Sequence, residues 1–233
     1  MKCTIKVSEV KGTETKTASG ENESKTSLKA FATVVFGDSF KVTNIAILEN
    51  KEDKSLFVSM PRYRSGKTGE GGTVEYKNIC NPTTKEFREL LYGAILAAYQ
   101  AGNFDKITFN DPGETMNQLD FHVQVTPFQK AGSNVRGLAR VYLDQEFVIN
   151  HITILHGKSG EFITMPNYKT KKVFEDNRPV YQDICYPVTR EFRDKLYGQI
   201  LETYQQKVME APPLPLPPAD EEMKLLEKET PFR

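Results

Sequence analysis

No stretch of this 233-residue chain approaches the roughly 18–20 consecutive apolar residues that a membrane-spanning helix needs. The opening residues, Met1-Lys2-Cys3-Thr4-Ile5-Lys6-Val7, alternate apolar with polar side chains and lack the continuous apolar core of a secretory signal, so the expected location is cytoplasmic. Cysteine is scarce. Three in a chain of this length, an odd number, argue against a disulfide scaffold and fit small, reduced, buried side chains. Net charge is absent too, with 31 Lys plus Arg against 31 Asp plus Glu. A non-specific nucleic-acid binder normally shows a large positive excess, so any such function must rest on local patches.

Catalytic and metal constellations are also missing. His122, His151 and His156 do not fall at metal-ligand spacing with one another or with Cys3, Cys80 or Cys185, and no Ser, His and Asp set is indicated. Gly66-Lys67-Thr68 invites a phosphate-loop reading, but the position five before Gly66 is Pro61, and glycines rather than a helix follow. The acids Glu86, Glu89, Glu191 and Asp194 lie near helix starts, where the macrodipole accounts for them. The expectation is a protein without cofactor or metal, and not an enzyme.

What is present is a repeat. Ile79 to Gln100 reads ICNPTTKEFRELLYGAILAAYQ and Ile184 to Gln205 reads ICYPVTREFRDKLYGQILETYQ, identical at 14 of 22 positions. Upstream, Phe57-Val58-Ser59-Met60-Pro61 lies over Phe162-Ile163-Thr164-Met165-Pro166, and Ala32 to Phe36 over Ala139 to Leu143. The division is a first copy over 1–100, a linker over 101–117, a second copy over 118–209 and a proline-rich acidic tail over 210–233. Both copies are mildly basic (15 basic against 12 acidic residues, and 12 against 10), while linker and tail are acidic (1 against 3, and 3 against 6).

Each copy begins with period-two alternation, as in Ala32, Val34 and Phe36, broken by a turn at Gly37-Asp38-Ser39 and resumed at Phe40 and Val42, which predicts a hairpin. The apolar phase then slips from even to odd positions at Thr43-Asn44, and again at Asn150-His151, so a β-bulge or bend is expected in both copies. Short strands follow, ending at Met60-Pro61 and Met165-Pro166, with others near Val74 to Cys80 and Val180 to Cys185. Each copy closes with a helix capped by Thr84 or Thr189. Phe87, Leu91, Ile95 and Ala98 make one apolar stripe; Tyr92, Leu96 and Tyr99 make a second, repeated by Tyr197, Leu201 and Tyr204. The second stripe is assigned to the interface between copies; the competing reading has these tyrosines flanking their own core with hydroxyls in water. The predicted fold is α+β: two small antiparallel sheets, each with a C-terminal helix, packed as an intramolecular pseudo-dimer. The tail run Pro212-Pro213-Leu214-Pro215-Leu216-Pro217-Pro218 favours extended polyproline, as spacer or docking peptide, before a short helix candidate at Met223 and Leu226.

At Ser39-Phe40-Lys41-Val42, Phe57-Val58-Ser59-Met60-Pro61 and Asn78-Ile79-Cys80-Asn81-Pro82, each echoed in the second copy, the chain resembles the SpoVG family of septation regulators. Asp183-Ile184-Cys185-Tyr186-Pro187 keeps the family's Asp before Ile, where the first copy has Asn78. The resemblance implies a small, usually dimeric sheet-and-helix regulator that binds DNA and in some members RNA, with septation and sporulation roles. Family members typically carry one copy; two in one chain lead to a monomeric pseudo-dimer, because linking raises effective concentration to roughly mM. The resemblance places nucleic-acid contacts in the basic residues after each Met-Pro: Arg62, Tyr63, Arg64 and Lys67 in the first copy, Tyr168, Lys169, Lys171, Lys172 and Arg178 in the second. Arginine and lysine neutralise phosphates, and an adjacent tyrosine offers a stacking plane. A solvated loop that only keeps the chain soluble is the bland alternative. The competing function is a protein-interaction module that uses the helix faces or the tail.

Overall fold

The computed structural model describes residues 1–10, 26–68, 74–102, 107–110, 119–129, 132–210 and 214–215. Most of the loop expected over Lys11 to Ser27, the glycines after Thr68 and the helix candidate at Met223 and Leu226 lie outside the described residues. The first copy comprises β1 (Lys2–Glu9), β2 (Thr26–Phe36), β3 (Phe40–Asn50), β4 (Leu56–Ser59), β5 (Arg62–Thr68), β6 (Val74–Asn78), β7 (Cys80–Pro82) and α1 (Lys85–Gln100). Strand β8 (Ile107–Asn110) follows. The second copy repeats the order as β9 (Phe121–Gln129), β10 (Val135–Leu143), β11 (Phe147–Gly157), β12 (Gly160–Thr164), β13 (Asn167–Val173), β14 (Pro179–Asp183), β15 (Cys185–Pro187) and α2 (Arg190–Glu210). The two-residue β16 (Leu214–Pro215) comes last. The α+β tandem architecture is therefore as the repeat predicts.

The hairpin turns follow from local chemistry. Ser39 N–H donates to Phe36 O across Gly37 and Asp38, both at positive φ, and Glu146 N–H donates to Leu143 O across Asp144 and Gln145, also both positive. This geometry matches the right-handed twist of the flanking strands. At Gly37 a side chain is excluded twice, by φ of +52° and because a Cβ would stand 2.7 Å from Leu119 Cβ. The phase slip also takes physical form. Between the pairs Ala32↔Ile45 and Val34↔Val42, β3 carries one residue more than β2, and between Ala139↔Ile152 and Val141↔Ile149 β11 does the same against β10. The extra residues bring Asn44 and His151 to φ near +60°, in the left-handed region.

Each bulge splits its strand into two pairing zones. Beyond the bulge, β3 pairs with its own β4 and β11 with its own β12. Before it, β3 pairs antiparallel with β15 of the second copy (Val42↔Cys185, Phe40↔Pro187), and β11 with β7 of the first (Ile149↔Cys80, Phe147↔Pro82). The bulges bond the incoming chain reciprocally: Thr43 N–H to Ile184 O and Asn150 N–H to Ile79 O, each 2.8 Å. The copies are thus interlocked by exchanged strands. Their buried faces merge into one core, with Phe36 and Phe147 stacked across the seam at 4.6 Å between ring centroids.

The helices sit on this core by their first stripes: Phe87, Leu91, Ile95 and Ala98 of α1, and Phe192, Leu196 and Ile200 of α2, are buried. Thr84 and Thr189 hydroxyls accept from the N–H groups three residues on, as N-caps do. Helix α1 lies on β1 and β4, and α2 on β9 and β12, while Phe192 of α2 also meets Phe40 of the first copy edge-on at 6.4 Å. Tyr92, Leu96, Tyr99, Tyr197 and Leu201 are half-buried against that core, and Tyr204 is buried beside Glu161 and Arg136 of its own sheet. A strand exchange joins the copies, a seam that the helix stripes do not announce. The reason is energetic: a three-residue strand brings a row of backbone donors and acceptors that must be paired if buried, and the neighbouring sheet supplies the partners. Within the linker, Ile107–Asn110 form β8, which pairs antiparallel with β1 at Lys2 to Ile5, a strand that the lack of periodicity did not suggest.

Candidate nucleic-acid interface

The residues after each Met-Pro are not loops but two-stranded hairpins set off from the main sheets. Arm 1 pairs β5 with β6 and arm 2 pairs β13 with β14. Both start beside a buried Met-Pro and return through Ile79 or Ile184, whose N–H bonds the proline carbonyl at 2.8 Å and closes the root. From there the chain crosses to the other copy as β7 or β15, so each arm is rooted against the opposite copy's bulge.

Strand alternation then sorts the side chains. On arm 1, Arg62 and Arg64 are exposed while Tyr63 and Ser65 are buried. The Tyr63 hydroxyl lies 2.7 Å from His151 Nε2 of the second copy, ring against ring edge-on at 4.7 Å. Burial, reinforced by the Glu75 carboxylate, pushes the Tyr63 phenol up to about 12. Tyr63 is thus a root residue and not the expected stacking plane. The plane beside the arginines is Tyr76, which pairs with Arg64 across the arm, is 49% exposed and carries the Arg62 guanidinium 4.8 Å from its ring centre. The equivalent residue on arm 2 is Tyr181, 52% exposed and paired with Lys169. The sequence reading missed both. The signal was available: a tyrosine at the same place in each copy, one strand over from the basic residues and in phase with Arg64 and Lys169.

On arm 2, Lys169, Lys171 and Lys172 are exposed, and with Tyr168, Tyr181 and Gln182 they border a cleft of about 560 Å³. Tyr168 donates its hydroxyl to Gln182 Oε1 at 3.0 Å. Arg178 is brought to the tip and is spoken for there: its Nε bonds Asp176 Oδ2 at 2.6 Å, and its guanidinium stands 5.9 Å from the Phe174 ring centre. Its charge is compensated locally, whereas none of the three lysines has a carboxylate partner among the described residues. Lys67 falls on β5, but its side chain lies outside the described residues. At the root, burial raises the Asp183 carboxyl and Arg193 opposes the shift; arm 1 has the neutral Asn78 in that place.

The other titratable groups are structural. Cys80 and Cys185 are free and buried, their thiols pushed up by desolvation. Among the described residues no group of three His, Cys, Asp or Glu side chains could hold a metal ion, and no helix is long and apolar enough to cross a membrane. What the arms offer is two exposed basic strips, each with a tyrosine face, held by one rigid frame.

Known proteins match this chain in the same two-part way. The SpoVG family profile matches twice, over residues 6–101 and 118–206. Relatives that bear the name septation protein SpoVG are similar over about one copy each. The Exiguobacterium protein is 34% identical over 76 residues, covering 33% of this chain and 71% of the relative. The Archaeoglobus fulgidus protein is 32% identical over 78 residues, 34% of this chain and 85% of the relative. The Lachnospira eligens protein is 35% identical over 91 residues, 39% of this chain and 93% of the relative, which is therefore about one copy long. With both matched segments falling on the two strand-exchanged halves, this chain belongs to the SpoVG family and carries the family unit twice.

Proposed function

We propose that this chain is a septation-type regulator that binds DNA or RNA through its two arms. One observation carries the reading: on both arms an exposed cation and an exposed tyrosine form the same cross-strand pair, Arg64 with Tyr76 and Lys169 with Tyr181. A cation beside a ring face suits a phosphate next to an unpaired or edge-exposed base. The doubling suits a target contacted at two points; because Arg62 is replaced by Asn167 in the second copy, the two points need not be alike.

The test is fluorescence anisotropy with labelled DNA and RNA at several salt concentrations. Neutralising about five phosphates gives a slope of log affinity against log salt of about −4 to −5. Substituting Arg62, Arg64, Lys169, Lys171 and Lys172 with Ala removes binding while the thermal melt is retained. A flat salt response, or unchanged binding in that variant, overturns the reading. A second reading, a protein-interaction module, draws on the tip of arm 2, where Val173 and Phe174 are 58% and 55% exposed. Loss of partner binding in a Phe174→Ser variant, with no nucleic-acid affinity in the parent, favours it.

A further inference from the structure

Sheet order β12-β11-β10-β9-β16 carries α2 on one face, against β9 and β12. Phe121 marks the covered face, its ring 5.4 Å from Phe192 of α2. Alternation turns its neighbour His122 to the opposite face, and the register lines up Tyr142 with His122 and Arg140 with Gln124 there. His122, Gln124 and Arg140 are exposed, Tyr142 is half-exposed, and the His122 and Tyr142 rings lie 6.4 Å apart at 37°. Arg140 has no carboxylate partner among the described residues. It stands opposite the β11 bulge that anchors arm 1, where Asn150 Nδ2 donates to Asn78 O of that arm at 3.4 Å and His151 Nε2 meets the Tyr63 hydroxyl at 2.7 Å. The face is thus continuous with arm 1. The His122 end of the face carries two acids, Asp144, whose Oδ1 accepts the Asp120 N–H at 2.8 Å, and the exposed Asp120; Arg140 lies at the other end, opposite Gln124. At the places of Arg140, Tyr142 and His122 the first copy has Thr33, Val35 and Thr4, so this arginine and this ring pair belong to the second copy, while the corresponding face of the first copy carries Lys6, Lys41 and Tyr186.

We propose that this face, through Arg140, Tyr142 and His122, is a platform for single-stranded nucleic acid that extends the contact made by arm 1. The proposal rests on the arms being nucleic-acid contacts and names the form of their target. A flat sheet face with two rings and one uncompensated arginine receives bases by their flat faces and a phosphate by charge. In a duplex those base faces are stacked on their neighbours and closed to a side chain, so single strands are selected.

The chain has no tryptophan, so Tyr142→Trp places a unique fluorophore on the face and Tyr76→Trp one on arm 1. The probes are oligothymidylate and oligouridylate of about 12 nucleotides, within the range one small module covers, and a duplex of equal length. Single strands quench the Tyr142→Trp reporter and the duplex does not. In anisotropy, His122→Ala with Arg140→Ala weakens single-strand binding about tenfold or more and leaves duplex binding within twofold. This second variant also serves if the tryptophan disturbs the sheet, because both of its residues are exposed. Quenching of Tyr76→Trp without quenching of Tyr142→Trp, or unchanged single-strand affinity in the double variant, overturns the platform and leaves the arms standing. No response from either reporter and no anisotropy change overturns both.

Discussion

At the root of arm 1 the Tyr63 hydroxyl reaches across the seam to His151, whereas at the root of arm 2 the equivalent Tyr168 gives its hydroxyl to Gln182 of its own arm. The place of His151 is taken in the first copy by Asn44, on the same bulge and in the same left-handed conformation. Buried nitrogens have no hydrogen-bond partner among the described residues at both, Nδ2 of Asn44 and Nδ1 of His151. One frame, repeated, therefore holds its two arms by different means. A few diverged residues, His151 for Asn44, Arg62 against Asn167 and Arg140 against Thr33, turn a symmetric scaffold into a two-ended one. A single-copy relative that pairs with itself has identical roots by construction; joining two copies in one chain frees each root to change.

The largest effect tests the shared frame. Phe147→Ala removes a fully buried ring from the cross-seam stack and costs about 3–5 kcal/mol, read by chemical denaturation. Phe36→Ala matches it if both copies depend on the seam equally; a difference above about 1 kcal/mol shows that one copy holds without the other.

Next comes acid. Burial first, then the charges of Lys77 and Arg140, lower His151 from 6.5 to about 4, so it is neutral in the folded protein at pH 7. Below pH 6.5 the unfolded chain binds a proton there that the folded chain refuses. Stability then rises with pH across the window between about 4 and 6.5, and about 2–3 kcal/mol is lost on descending through it. His151→Asn, which gives the second copy the residue of the first, flattens that part of the profile in melts at pH 4.5 and 7.

Smaller is the root hydrogen bond itself. Tyr63→Phe costs about 1–2 kcal/mol because it leaves the His151 ring without its partner, while Tyr168→Phe costs a few tenths, its bond being exposed. Equal losses erase the distinction between the roots. The smallest effect is a gain. Gln145→Gly relieves a non-glycine residue at φ of +57° in the second hairpin turn and adds about 0.5–1 kcal/mol, whereas Gly37→Ala in the first turn destabilises through its φ and the contact with Leu119.

Much of the arms' chemistry could be read in advance, since Arg62, Arg64, Lys169, Lys171 and Lys172 are exposed where the resemblance put them. The error over Tyr63 came from treating β5 as a loop. Adjacent residues on a strand face opposite ways, so a tyrosine between two exposed arginines is the residue that turns inward. The pairing of Arg178 with Asp176 was not legible for a different reason: it depends on a turn that brings the two side chains together.

The amino-acid order alone determined the two copies, the hairpins, both bulges and both capped helices, because each rests on interactions within a few residues: alternation, turn conformation, phase and capping. The partner of β7 and β15 was decided only by the tertiary structure. The edges of β3 and β11 carry nearly the same pattern, and backbone hydrogen bonds do not distinguish one copy from the other, so local sequence cannot choose between them. Only the path of the chain, out along an arm and back through Ile79 or Ile184, delivers each short strand to the opposite sheet.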